Sequence, residues 1–243
     1  MGATKQMINS KGAHMFSTGA PALRVRRGFI GAAASLAALM TLAVALPAHA
    51  RAATQEDKTQ FSVTAGSLAF SSAPALPTLS GVTLNGSAQT TNTSMTNFGV
   101  DDATGSGAGW NVTVEGQSGS GKSAVFAAYC GKTKCGTESE GYVTGGASLA
   151  ANSLTLTSTG ATLVGQNGTT GTAPTLQCSA GCPVDHATAT KIVSAATSAG
   201  MGTWLTSGFG ASSLALSTPT TIKALPNEEV YRVNVLWTLS TGP

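Results

Sequence analysis

Charged residues are scarce in this 243-residue sequence, at 9% Asp, Glu, Lys and Arg where an ordinary globular chain has about 25%. The positive ones are also unevenly placed. Of 13 Lys and Arg, five precede residue 51, whereas all ten Asp and Glu follow it; residues 51–243 therefore carry −2, and the overall +3 belongs to the first fifty. That excludes a basic surface for nucleic acid or anionic lipid. Histidine is nearly absent too: His14 and His49 fall in the first fifty residues, leaving His186 as the one imidazole beyond them. Its neighbour Asp185 offers no triad spacing, so His186 reads as a solvated loop side chain and no catalytic residue is assigned. Long helical periodicity is missing as well. The best helical stretch, Asp185 to Ala199, is Ala-rich, but its β-branched Thr188, Thr190, Ile192 and Val193 suit a strand equally.

What is present begins with an export signal. The basic cluster Arg24-Val-Arg-Arg-Gly28 leads into an uncharged Ala/Leu/Val-rich run to Leu46, and then into Leu46-Pro-Ala-His-Ala50. Basic, apolar and small-residue parts in that order predict a signal peptide over residues 1–50, cleaved after Ala50. A membrane anchor is the alternative, but the run is heavy in Gly and Ala and barely long enough to span. Arg26-Arg27 fits a twin-arginine signal and an ordinary one alike, and Met15 serves as a start as well as Met1; the sequence leaves both open. Residues 51–60 (RAATQEDKTQ) are a polar linker, and 61–243 form one exported domain long enough for a sizeable core. No LPxTG-type sorting motif occurs, Leu76-Pro-Thr-Leu79 being no match. Surface retention is then non-covalent, or the protein is released.

Gly, Ser, Thr and Ala dominate the exported part, and short alternating runs punctuated by Gly, Pro and Asn recur along it. They include Phe61-Ser-Val-Thr64, Ser67 to Phe70, Val82-Thr-Leu84, Trp110 to Val114, Leu154-Thr-Leu156, Ile192-Val193 and Leu214-Ala-Leu216. Many short strands with turn residues between them predict an all-β fold, an antiparallel sandwich of the Ig-like or Greek-key kind. Residues 116–146 and 165–185 read as its long loops. Two strands stand out. Tyr231, Val233, Val235, Trp237 and Leu239 are spaced by two and share one face of a C-terminal strand. Trp110, Val112 and Val114 repeat the pattern, and the two strands together predict the heart of the core.

At these strands the sequence resembles the WxL-domain family of bacterial cell-surface proteins. The distal motif is Trp237-Thr-Leu239 within YRVNVLWTLSTGP; the proximal one is Trp110-Asn-Val112, approached through Val100-Asp-Asp102. Phe61 to Leu68 looks like the opening strand, and Ile192 to Ala195 with Gly200-Met-Gly-Thr-Trp204 like a later segment. The resemblance implies non-covalent association with the cell wall. Peptidoglycan or another wall polymer is the implied partner, other surface proteins are further partners, and no nucleotide or cofactor is involved. Val112 stands where the family name has Leu, and the cysteines are a departure. Residues two apart on a strand point the same way, so Trp110, Val112, Tyr231, Trp237 and Leu239 read as core rather than ligand-binding residues. Trp204, between Gly200, Gly202 and Gly208, is the candidate exposed aromatic.

Other constellations carry weaker signals. Residues 116–123, GQSGSGKS, match a phosphate-binding loop, and Ala124 to Tyr129 could add a turn or two of helix. No hydrophobic strand ends in the required Asp, and nucleotide is scarce outside the cell, so Lys122 reads as a solvated charge. Cys130, Cys135, Cys178 and Cys182 are even in number and exported, which predicts disulfides. Local bridges Cys130–Cys135 and Cys178–Cys182 are favoured over crossed ones, and over a zinc site whose spacing would be unusual. The carboxylate pairs Asp101-Asp102, Glu138/Glu140 and Glu228-Glu229 leave a secreted carbohydrate-active hydrolase as an alternative, provided that two of them face across a cleft. Asp101-Asp102 alternatively cap a turn or bind Ca²⁺. A self-assembling surface or adhesion subunit is the remaining alternative.

Overall fold

The computed structural model describes residues 55–243; the expected signal peptide over 1–50, and residues 51–54 of the linker, lie outside the described residues. Every helix or strand among the described residues is a strand, and all the sheet pairings are antiparallel, as an all-β fold requires. Two sheets of four face each other. One runs β1 (Leu68–Ser72), β3 (Gly99–Asp102), β12 (Gly202–Ser207), β8 (Thr162–Gln166). The other runs β15 (Val235–Thr241), β4 (Trp110–Gly116), β11 (Thr190–Ala195), β9 (Thr175–Leu176). Edge meets edge, β1 beside β15 and β8 beside β9. A third sheet, β10 (Cys182–Pro183), β7 (Leu154–Leu156), β13 (Leu214–Thr218), β2 (Gln89–Thr93), extends the same core. A three-stranded sheet completes the fold: β14 (Val230–Arg232), β5 (Ala127–Cys135), β6 (Glu138–Tyr142).

Strand β4 is the centre of the packing. Trp110, Val112 and Val114 are wholly buried, while Asn111, Thr113 and Glu115 between them are half-buried on its other face. The strand is paired on both sides, to β15 through Trp237↔Val114 and Leu239↔Val112, and to β11 through Val193↔Val112 and Ala195↔Trp110. Burying the Trp110 ring leaves its N–H needing a partner. The indole Nε1 donates to the Gly200 carbonyl at 2.9 Å. Only glycine fits there: Gly200 has φ +73°, and a Cβ would stand 2.6 Å from that nitrogen.

Several local expectations are corrected. Phe61–Thr64 is not the opening strand; the first ladder bonds join Gly66 and Ser67 to Ala103, and β1 starts at Leu68. Beyond Ala103 the partner chain turns, because the Asp102 carboxylate accepts from Thr104 N and Oγ1 at 3.1 and 2.6 Å, so residues 61–64 have no edge to pair with. Val82–Leu84 also lies outside any strand. The C-terminal run is not one strand but two, β14 and β15, in different sheets. Asn234 makes the break: its N–H donates to Ser123 O at 2.8 Å, and its Oδ1 accepts from Ser123 N at 3.2 Å and Tyr142 Oη at 2.6 Å. The stretch 185–199 holds a strand, β11, rather than a helix.

The supposed loop 116–146 contains β5 and β6. Their inward face is built from small residues, Ala128 and Cys130, so no apolar alternation announces it. Segment 165–185 likewise contains the short β9 and β10. Both disulfides are local. Cys130–Cys135 (Cα–Cα 5.7 Å) spans the bulge where β5 carries two more residues than β6 between paired positions. Cys178–Cys182 (Cα–Cα 5.1 Å) closes the turn between β9 and β10, and thus between two sheets. Loops this short are worth about 2 kcal/mol each in the chain-entropy picture.

Asp185 is fully buried. Its Oδ2 accepts from Ser153 N at 2.9 Å, while its Oδ1 is buried without a protein partner. Burial pushes its carboxyl above the usual range, against the backbone hydrogen bonds and His186, which pull it down. His186 is half-buried rather than solvated: its Nδ1 is enclosed without a protein partner and its Nε2 lies 3.5 Å from Thr190 Oγ1.

Replacing Trp110 by Phe strands the Gly200 carbonyl and is expected to cost about 1–3 kcal/mol in urea unfolding, plus the lost ring volume. Gly200→Ala should destabilise as well, while Ser240→Ala on the exposed side of β15 stays near wild type. For Asp185 the raised pKa means a contribution present below the unfolded value of about 3.9 and lost as pH rises through the folded one. Asp185→Asn, which keeps an acceptor for Ser153, should therefore gain on wild type between pH 3.5 and pH 7 in thermal unfolding; a loss over that interval would contradict the assignment.

Candidate functional site

The motif residues occupy the interior. Trp110 and Val112 are fully buried. Trp237 and Leu239 are half-buried on β15, the Trp237 ring lying 5.8 Å from that of Phe98 between centroids. Tyr231 packs against the same core and donates its hydroxyl to the Lys223 carbonyl at 2.8 Å. Trp204, expected to be exposed, is only 5% exposed, and its indole donates to Met201 O at 3.1 Å. The glycines around it make turns rather than openings. Gly200 and Gly202 both have positive φ and fold the chain so that Trp204 sits inside β12, between Val100 of β3 and Gly165 of β8.

Among the described residues the carboxylates do not assemble into a pair across a cleft. Asp101 accepts from Thr203 Oγ1 at 3.0 Å within the first sheet, and Asp102 caps its turn. Glu228 is an exposed turn residue ion-paired with Lys132, whose cation holds the carboxyl below its usual range. Two of the clefts among the described residues are shallow. The larger, about 350 Å³, is lined by Gln89, Thr90, Asn152, Ser153, Ser217 and Thr218 among others; the smaller, about 200 Å³, by Thr157, Thr159, Gly210, Ser212 and Ser213. Neither has a carboxylate in its wall. No group of three or more His, Cys, Asp or Glu among the described residues is placed to hold a metal.

Lys122 closes a tight turn, its N–H donating to Gly119 O at 3.1 Å, and the chain then runs into β5 with no helix. The expected turn of helix from Ala124 to Tyr129 is thus strand at its end. The loop has another use. Through Ser123 it is tied to Asn234, which sets the exposed Lys122 beside the three-stranded sheet.

On the outer face of that sheet stands a cluster that the sequence pattern did not single out. Tyr129 on β5 is in register with Val230 on β14 and Tyr142 on β6, so the three side chains form a row across the strands. Ala128 and Cys130, pointing the other way, are buried. The tyrosine rings meet edge to face at 5.0 Å, and the Arg232 guanidinium lies 4.4 Å above the Tyr129 ring. Burial raises the Tyr142 phenol, with Arg232 pulling it down, so it stays a neutral donor to Asn234. Both tyrosines are half-buried, Val230 is 52% exposed and Arg232 is exposed. The one available signal was spacing: Tyr129 and Tyr142 lie seven and six residues either side of Gly136, as hairpin partners do.

Comparison with known proteins gives one result. No curated protein and no solved structure matches the chain. The family model described as WxL domain surface cell wall-binding matches residues 54–243, from just before the first described residue to the last. That span contains both tryptophan motifs, the paired strands β4 and β15 that carry them, and the outer tyrosine face. The chain belongs to the WxL family of surface domains that bind the cell wall.

Proposed function

We propose that this domain holds an exported chain on the wall by binding peptidoglycan non-covalently, as a binding module and not as a hydrolase. The observation that carries this is the family match over residues 54–243, taken with the dispersal of the described carboxylates. The motif tryptophans support the reading indirectly. They are committed to the interior, so they organise the fold while the outer surface makes the contact. Two local disulfides are in keeping with an oxidising, extracytoplasmic location. Residues 1–50 act, on this reading, as the signal that takes the chain there.

A second reading has an observation of its own. Phe61 and Val63 are 91% and 82% exposed, on an arm with a strand-like alternation and no ladder partner among the described residues. Such an arm is suited to pairing with a sheet edge of another copy.

Purified exported chain mixed with isolated peptidoglycan should sediment with it; a chain left wholly in the supernatant overturns the wall reading. The mass of the exported chain should correspond to a start at Arg51. In light scattering, wild type that is larger than a monomer and returns to monomer in Phe61→Ser/Val63→Ser would favour the arm-mediated assembly. Monomeric wild type would remove it.

A further inference from the structure

We infer that the outer face of the three-stranded sheet is the ligand-binding face, and that it takes a sugar ring carrying an adjacent anionic group. This rests on the wall-binding reading above and assigns it a place and a chemistry. Three observations converge on this face. The first is the row Val230, Tyr129 and Tyr142, which crosses all three strands in register and offers apolar and aromatic surface to solvent. Sugar rings pack on such surfaces through their C–H faces, and a tyrosine does so at small entropic cost because few torsions are frozen. The chain's three tryptophans are not free for this work: Trp110 and Trp204 are buried, and Trp237 is packed on Phe98.

The second observation is charge. Arg232 is exposed, and its guanidinium is held over the Tyr129 ring instead of in an ion pair; the ion pair formed among the described residues is Lys132–Glu228. A guanidinium positioned by a ring keeps its donors for a ligand, and its planar fork matches a carboxylate or a phosphate. Lys122 adds a second exposed cation, brought to the same sheet by the Ser123–Asn234 bonds.

The third is polarity. Arg232 pairs with Ala127, on one side of the tyrosine row, whereas Glu140 precedes Tyr142 by two residues and so lies on the other side. An anion is attracted at the Arg232 and Lys122 end, whereas at the other end Lys132 and Lys134 are outnumbered by Glu138, Glu140, Glu228 and Glu229. The ring therefore sits on the tyrosines with its acidic substituent toward Arg232. Two wall components carry that chemistry: the carboxylate-bearing glycan of peptidoglycan, and phosphodiester polymers attached to it.

The test uses the purified exported chain and three probes: peptidoglycan stripped of phosphodiester polymers by acid, those polymers after release, and a neutral β-linked amino-sugar oligomer. Arg232→Glu and Tyr129→Leu are compared with wild type, and thermal unfolding confirms that each variant is folded. Arg232 is exposed and Tyr129 half-buried; should Tyr129→Leu lose the fold, Arg232→Glu alone carries the test. Wild type should bind at least one acidic probe. Arg232→Glu should weaken that binding by about tenfold or more, the scale of a lost charge-assisted hydrogen bond, and added salt should weaken it further. Retention on stripped peptidoglycan identifies the glycan carboxylate; binding to the released polymer identifies the phosphodiester. Variants that bind like wild type overturn the site and leave the wall reading standing. Equal binding to the neutral oligomer overturns the anionic component. Wild type that binds none of the three overturns the site and the wall reading together.

Discussion

The hydrogen bond from the Trp110 indole to the Gly200 carbonyl is the contact on which the rest of this domain is arranged. A large ring can be buried only if its one polar atom is satisfied. Here the acceptor comes from a backbone position that tolerates no side chain. The bond ties β4, at the centre of one sheet, to the turn that leads into β12 of the facing sheet. With β4 held, β15 and β11 take their registers on either side of it, and the turn after Gly200 places Trp204 inside. The two motif strands are thus one ladder, with Trp237 opposite Val114 and Leu239 opposite Val112. Valine at position 112 fits that ladder well. It is fully buried in a central strand, where a β-branched side chain is at home.

Committing the motif to the interior separates fold from recognition. The core strands carry the three tryptophans and many branched residues, and the positions between them on β4 and β15 are mainly Ser, Thr and Asn, with Glu115 and Leu236 as exceptions. There hydroxyl and amide groups take the solvating role that Lys and Glu have elsewhere. The three-stranded sheet departs from this pattern. In it β5 turns Ala128 and a disulfide inward beside Tyr231 of β14, while Tyr129 and Tyr142 stand on the outer face. Cys130–Cys135 holds the bulge in β5, and the exposed Lys132–Glu228 pair lies at the same bulge. An exposed pair of that kind contributes little to stability.

Fold class was legible because alternation is a local property: the buried positions of β4, β7 and β13 are spaced by two in the sequence and remain so in space. Local disulfides were legible from short separations. What misled was alternation without a partner. Phe61-Ser-Val-Thr64 has the pattern of a strand, but pairing needs a neighbouring edge, and β3 ends before it can supply one. Tyr231 to Leu239 has an unbroken pattern, yet the bonds at Asn234 send its two halves to different sheets. Glycine neighbours suggest an open Trp204, whereas positive φ at Gly200 and Gly202 directs the chain inward.

By itself the sequence determined the class of fold, the family and the balance of charge beyond residue 50, and it favoured local cysteine bridges, since each depends on composition or on neighbours along the chain. Tertiary structure alone decided which aromatic residues meet solvent. Tyr129, Tyr142 and Arg232 lie up to 103 residues apart in the chain and come together only through strand register. Register is set by backbone hydrogen bonds between distant segments, which the identity of the side chains on either one does not reveal.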